Sequence, residues 1–408
     1  EFTRDEILSM LAKEMLDAAE LLPASQSEVG RIHKYIALAY AAKIKLYQAY
    51  QQDETTHAVT SINKELLREV VSLCDQVTAS NRYGLLDDFQ GLDLVANENG
   101  KESVFAIQYS MNDGTESAGR INWSNLLNSP GGGSPYGGDG FFLPSQDLIN
   151  AYQTDANGLP DFNYQSKSDY SWAVLNNGVY TLQNTTPNVD PRLDFVVGRP
   201  TITWKTYPDK PCEGWVRDKE TYGYNCAKRF WVSPESSDMF NGWPWGASQL
   251  NWQIIRYADI LLWKAEALIE LNEGDGLETA RDLINQIRNR ARNSAYVKDF
   301  NDHSKYAANY LVNPYPADVW NQDYARQALR WETRLEKALE GERFFDLVRW
   351  GIVETTMNKY ITAESDNRIY YANAHFTGGK DEYYPVPNNQ YGFSGGKYVQ
   401  NPGYAPFN

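Results

Sequence analysis

Apolar residues recur every three to four positions before about Tyr83 and again from about Ile255 to Trp350, and the period vanishes between about Tyr83 and Asn251. A helix buries one stripe and needs that period, so the chain is expected to build helices on either side of that stretch and something else within it. From Thr3 to Leu22 the stripe is Ile7, Leu8, Leu11, Met15, Leu16, Ala19 and Leu22. Thr3 with Glu6 three residues on forms a capping box, and Pro23 is a stop. A second, Ala-rich run from Ile32 to Tyr50 carries Ala37, Ala41, Ile44 and Tyr47 on one face, and a third covers about Ala58 to Val77. Small residues let a neighbouring helix approach closely, which reads as a helical hairpin of the tetratricopeptide type. The same design returns at Ile255–Leu271 and Gly276–Ala291, and again at about Asn321–Leu339 and Glu342–Trp350, separated by Gly341. The expected fold class is therefore mostly α: a tetratricopeptide-like hairpin array interrupted by a large irregular, loop-rich insertion with short β-strands.

The insertion holds the run from Gly131 to Gly140, with Gly at six of its ten positions, and many Asn, Asp, Pro and Ser. Only short pieces such as Ser103–Tyr109 and Thr201–Lys205 look β-like. Long irregular segments in compact domains are binding loops or disorder more often than idle connectors, and dense aromatics argue against disorder. The chain divides on this reading into N-terminal helices (1–80), an irregular ligand-binding lobe (81–251), C-terminal hairpins (252–351) and a loop-rich end (352–408).

The formal net charge of -15 repels nucleic-acid phosphates and anionic headgroups, so nucleic acid is not an expected partner. The longest apolar runs, such as Ile260–Leu262, fall far short of the roughly 20 residues that span a bilayer. Glu1 to Ala24 lacks the apolar core of a signal peptide, so the protein is either intracellular or has lost its beginning. Of three cysteines, Cys74 sits on an apolar helix face and reads as a buried thiol. Cys212 and Cys226 flank a loop that a disulfide could close, and bonded or free both fit.

No catalytic template is met. There is no HExxH, Gly-x-Ser-x-Gly, phosphate loop or GxGxxG, and His33, His57, His303 and His375 lack ligand spacing, so neither a metal site nor a cofactor is expected. Carboxylates are abundant, and a glycosidase needs only two of them within about 5 to 10 Å, so counting leaves that class open. The cluster Arg330, Glu332, Arg334, Glu336, Glu340, Glu342, Arg343, Asp346 and Arg349 resembles an acid–base site, but three- and four-residue charge spacing on packed helices is the pattern of a structural ion-pair network. Arg256 with Asp259 and Glu266 reads the same way.

The aromatic residues are more informative: 12 Trp and 28 Tyr, many of them in polar loops. Sugars are bound by flat apolar faces beside amides and carboxylates that donate to and accept from hydroxyls. The insertion supplies both. The expected ligand-binding residues are Trp123, Tyr136, Trp172, Trp204, Trp215, Tyr222, Tyr224 and Trp243, with Trp231 and Trp245 as further platforms; Trp243-Pro-Trp245 straddles a stiffening proline. Trp263, Trp331 and Trp350 fall in helices and are assigned to the core.

Several segments closely resemble the SusD/RagB family: Ile255–Ala267 (IRYADILLWKAEA), Ile284–Ala291 (INQIRNRA), Glu332–Gly351 (ETRLEKALEGERFFDLVRWG), Tyr384–Asn388 and Gln400–Gly403. Leu143–Tyr152 and Asp190–Leu193 extend the resemblance over nearly the whole chain. It implies a lipid-anchored protein on the outer face of the outer membrane of a Bacteroidetes-type bacterium, capping a TonB-dependent β-barrel of the SusC type, its helices toward the barrel and its irregular lobe toward the ligand. Family members commonly bind oligosaccharides and some branches handle peptides, so a non-catalytic glycan-binding importer component is expected, with a peptide-binding component as the alternative. The family pattern begins with an N-terminal region and lipid-modified cysteine ahead of Glu1, so that region and the anchor are expected to be absent from this chain.

Overall fold

The computed structural model describes residues 2–116, 119–129, 131, 133–177, 179–182, 186–206, 215–223, 225–243 and 245–407. Three helices open the fold, α1 (Arg4–Leu21), α2 (Lys34–Ala49) and α3 (Lys64–Ala79). Thr3 and Glu6 cap α1 reciprocally, the Glu6 amide donating to Thr3 Oγ1 at 3.2 Å and the Thr3 amide to Glu6 Oε2 at 2.8 Å. The alanines of α2 are buried, so α1 and α3 both pack closely on it. The third helix starts later than its apolar pattern suggests. Val59–Ile62 (β2) pairs antiparallel with Tyr50–Gln52 (β1), and Asn63 then caps α3 by accepting from the Glu65 and Leu66 amides. The β-branched Val59, Thr60 and Ile62 favour the extended partner strand over another helical turn.

The lobe carries short elements: β3 (Ser103–Ile107), α4 (Gln146–Ala151), β4 (Ala173–Asn176), β5 (Val179–Leu182), β6 (Asn188–Val189), α5 (Arg192–Val196), β7 (Val197–Gly198), α6 (Lys219–Tyr222), β8 (Cys226–Ala227) and β9 (Trp252–Arg256). Among the described residues the strands pair in twos, β3 with β9, β4 with β5, β7 with β8, and β6 with the later β10 (Asn309–Tyr310). Thr201–Lys205 forms no strand, only a bridge from Ile202 to Asp299; positive φ at Thr201 and Lys205 breaks the extended run. The helices resume with α7 (Tyr257–Leu271), α8 (Gly276–Asn293), α9 (Gln322–Glu336), α10 (Arg343–Arg349), α11 (Val353–Ser365) and α12 (Asn388–Phe393). α3 packs directly on α7, and α7 on α8 and α9. The lobe thus loops out from between two neighbouring helices of one array and returns, through antiparallel β3 and β9, to the start of α7.

One apolar core runs through α2, α3, α7, α8 and α9 and contains Cys74, whose thiol burial pushes up to about 12. A second core, with Phe89, Tyr152, Leu193 and Val196, joins the lobe to α9 through Leu335 and to the turn after it through Ala338. Between them lies the charged cluster. Glu332 accepts from Arg192 at 2.6 Å and Arg288 at 3.0 Å; Glu336 accepts from Arg256 at 3.1 Å and also from Arg290 and Arg192. Glu102 on the lobe side pairs with Arg256 at 2.8 Å and Arg290 at 3.1 Å. All of these side chains are buried. Burial alone would raise the pKa of Glu336, but Arg290, Arg256 and Arg192 outweigh it and hold the carboxyl below its ordinary value. The network fixes the lobe to the helices.

Candidate functional site

The eight residues expected to bind ligand divide by burial. Tyr136, Trp204 and Trp215 form, with Trp231, an aromatic core inside the lobe. Trp204 and Trp215 meet edge to face with centroids 5.3 Å apart, and Tyr136 lies 4.5 Å from Trp231. Two of the cluster's polar groups bond inside the lobe: Trp204 Nε1 donates to Tyr136 Oη at 2.9 Å, which donates onward to the Val232 carbonyl at 2.7 Å. Trp172 is buried beneath the Arg199 guanidinium, 4.5 Å from its ring centroid, and donates to the Pro200 carbonyl at 2.9 Å. A ring covered on both faces cannot stack on a sugar, so these four support the lobe and present no platform. A loop region without long strands or helices has few aliphatic stripes to bury, and large rings with satisfiable N–H and O–H groups fill that role. Tyr224 lies outside the described residues.

Trp123, Tyr222 and Trp243 are exposed, at 45%, 46% and 67%. The Asn122 amide donates to the Ser248 carbonyl at 2.7 Å and Asn122 Nδ2 to the Leu250 carbonyl at 2.8 Å, which sets Trp123 beside the base of the loop from Met239 to Ser248. That loop is closed by a Met239–Ser248 bridge and a 2.8 Å bond from the Phe240 amide to the Ala247 carbonyl. Trp243 and Trp245, itself 54% exposed, stand at its far end. Gly137 lies against Trp245: a Cβ there would be in ordinary contact with the Trp245 Cβ, at 3.5 Å. Tyr222 pairs with exposed Tyr370, centroids 6.3 Å apart. The surface therefore offers exposed indoles on the lobe and a phenol pair that spans the lobe and the C-terminal segment.

Tyr370 is not among the expected binding residues, because it lies in the loop-rich end outside the insertion; its sequence signal is the Tyr370-Tyr371 doublet between Asn367 and Asn373. The acid–base cluster offers no accessible pair at its centre, because Glu332 and Glu336 are completely buried. Among the described residues no group of three or more His, Cys, Asp or Glu is placed to hold a metal ion, and no helix is long and apolar enough to cross a membrane.

A sequence model of the SusD family matches residues 101–404, which takes in most of the lobe, the later helices and the C-terminal segment. The chain belongs to the SusD family. Its fold is that of several solved SusD-type structures. A SusD homolog from Bacteroides thetaiotaomicron superposes with a TM-score of 0.65 at 19% identity, over 98% of this chain and 70% of that one. A SusD superfamily protein from Bacteroides vulgatus gives 0.60 at 22% identity, over 93% of this chain and 64% of the other. Surface glycan-binding protein A from Bacteroides thetaiotaomicron, solved in complex with laminarihexaose, gives 0.60 at 17% identity, over 97% and 70%. The chain thus spans about two thirds of the length of these SusD-type chains. No functionally curated protein matches it.

Proposed function

We propose that this SusD-family chain is the non-catalytic, glycan-binding component of an outer-membrane nutrient importer, holding oligosaccharides on the outer cell surface for a TonB-dependent, SusC-like transporter. The observation that carries the reading is the exposure of Trp123, Trp243 and Trp245 on a lobe stiffened by its own aromatic core. Exposed indoles cost solvation unless a ligand covers them, and a pre-ordered support keeps the entropic cost of binding low. The laminarihexaose complex of one fold relative supports the same ligand class. A lipid anchor preceding this chain would hold it at the membrane, and the helical array would face the barrel. The buried carboxylates of the charged cluster have structural work in this reading, which supports binding without catalysis.

The test is calorimetry or affinity electrophoresis against a panel of neutral and acidic glycans, with peptides as the opposing ligand class. At least one glycan should bind, and Trp243→Ala should weaken it by about 1–3 kcal/mol without loss of fold. Retention of peptides alone would transfer the chain to peptide capture. Sugar release from a bound glycan, abolished by one carboxylate substitution, would make it a glycosidase.

A further inference from the structure

The charged cluster of α9 and α10 is unevenly satisfied. Glu332, Glu336 and Glu340 each hold arginines, Arg334 pairs with Asp147 at 2.5 Å, Asp346 with Arg349 at 2.8 Å, and Glu342 with Lys43 at 2.8 Å. Two members are left over. Arg343 and Arg330 are half-buried, and among the described residues neither has a hydrogen bond or a carboxylate partner; Arg330 lies over the Trp350 ring at 5.3 Å. Burial pushes the Arg343 guanidinium down to about 9, with nearby Arg334 adding to the shift against the pull of Tyr164, Asp147 and Asp346, and burial lowers Arg330 against the pull of Tyr50, Glu266 and Glu270. In a chain where acids outnumber bases 53 to 38, two poorly solvated guanidinium groups with no carboxylate in bonding distance leave room for an anion from outside.

Both open onto space. Arg343 lines a cleft of about 370 Å³ whose walls include Phe142, Leu148, Met357 and Tyr360, and an adjoining one of about 430 Å³ that also holds Arg330, Trp331 and Lys359. Tyr164, Gln165, Arg334, Leu347 and Thr356 wall both. These volumes fall in the ordinary range for small-molecule sites, about 300–1,000 Å³. The carboxylates on the walls are engaged, Asp147 and Asp346 as above and Asp323 with Arg326 at 3.0 Å, while exposed Lys359 adds a third unpaired cation. The clefts also connect to the exposed rings. Tyr360 Oη lies 3.1 Å from Tyr371 Oη, Tyr371 lies 4.6 Å from Tyr370, and Tyr370 pairs with Tyr222.

We propose that Arg343 and Arg330 form a subsite for the acidic group of a sugar, a uronate carboxylate or a sugar sulfate, so that the glycan taken by this protein is anionic. The inference rests on the glycan-binding reading above. Guanidinium donors bind such groups through paired, charge-assisted hydrogen bonds, and the phenol rings from Tyr360 to Tyr222 would receive neighbouring sugar units. A short acidic peptide offers the same charge, but it needs neither the aromatic approach nor a cleft of one- or two-sugar size.

Calorimetry with uronate oligosaccharides of gluco and galacto configuration, their carboxyl-reduced neutral counterparts, a sulfated oligosaccharide and a glutamate-rich peptide tests this. At least one acidic sugar should bind about tenfold or more tighter than its neutral form, and the sulfated and uronate arms tell the two anion sources apart. Arg343→Gln, and separately Arg330→Gln, should abolish that preference while the melting temperature stays level or rises. Equal affinity for acidic and neutral forms, or a preference untouched in both variants, overturns the subsite. If a neutral glycan still binds through Trp243, the glycan reading survives that failure; tighter binding of the peptide than of any sugar overturns both.

Discussion

The junction between the helical array and the lobe is packed with opposite material to the lobe's own centre. Where α7, α8 and α9 meet the lobe, the interior is ionic: Arg192, Arg256, Arg288 and Arg290 converge on Glu102, Glu332 and Glu336, all buried. Inside the lobe the interior is aromatic, with Tyr136, Trp204, Trp215 and Trp231 in contact. Helices satisfy their own backbone, so side chains on their facing stripes can bond to one another across the join. Loops cannot, and the lobe's rings also serve the backbone, as Tyr136 and Trp172 do by donating to the Val232 and Pro200 carbonyls. Charge ties the two parts together, and rings hold the lobe in shape.

This contrast can be broken most severely at Glu336. It accepts from three buried guanidinium groups, so Glu336→Ala leaves Arg192, Arg256 and Arg290 short of an acceptor where water cannot replace it. The expected loss is about 5 kcal/mol, the upper end for breaking a buried pair, seen in denaturant unfolding or as a failure to fold. A near-neutral result would mean that Glu102 and Glu332 carry the network alone. Next is Trp204→Ala, expected to cost about 3–4 kcal/mol. Because the lobe has its own core, proteolysis should cut first among its loops, with helix content by circular dichroism largely kept. Loss of both together would mean that lobe and helices form one cooperative unit.

The same contrast explains what was readable beforehand. The helices were legible because Ile7, Leu11, Met15 and Ala37, Ala41 repeat at the helical period and Thr3 marks a start. The ion network was legible as a pattern, since Glu332 and Glu336 lie one turn apart on one helix face. Its partners were not, because Arg192 and Glu102 arrive from the lobe. In the lobe no period separates a ring that faces in from one that faces out. Trp204 and Trp243 have similar polar, proline-containing neighbourhoods, yet one is buried and the other exposed. The difference lies in long-range contacts such as Trp204 Nε1 to Tyr136 Oη, which local sequence does not encode.

A smaller effect sharpens the comparison through pH. The buried arginines of both parts face carboxylates, whereas among the described residues Lys228 in the lobe donates to the carbonyls of Asp194 and Thr203, at 2.7 and 2.9 Å, and the nearby Asp194 carboxylate is taken by Arg199. Burial lowers its pKa to about 7, with Lys205 and Arg199 adding to the shift against the opposing pull of Asp194 and Asp93. Above pH 7 the folded protein loses this proton while the unfolded chain keeps it up to the ordinary lysine value of 10.5. The unfolded state then binds more protons, so stability from this group rises with pH between about 7 and 10.5 and is lost as pH falls to 7. The slope should be on the order of 1 kcal/mol per pH unit in that window, and Lys228→Met should flatten it relative to the parent in paired urea titrations at pH 7, 8 and 9. Identical slopes in parent and variant would show that Lys228 keeps its proton, and that it is held as a cation like the buried arginines around it.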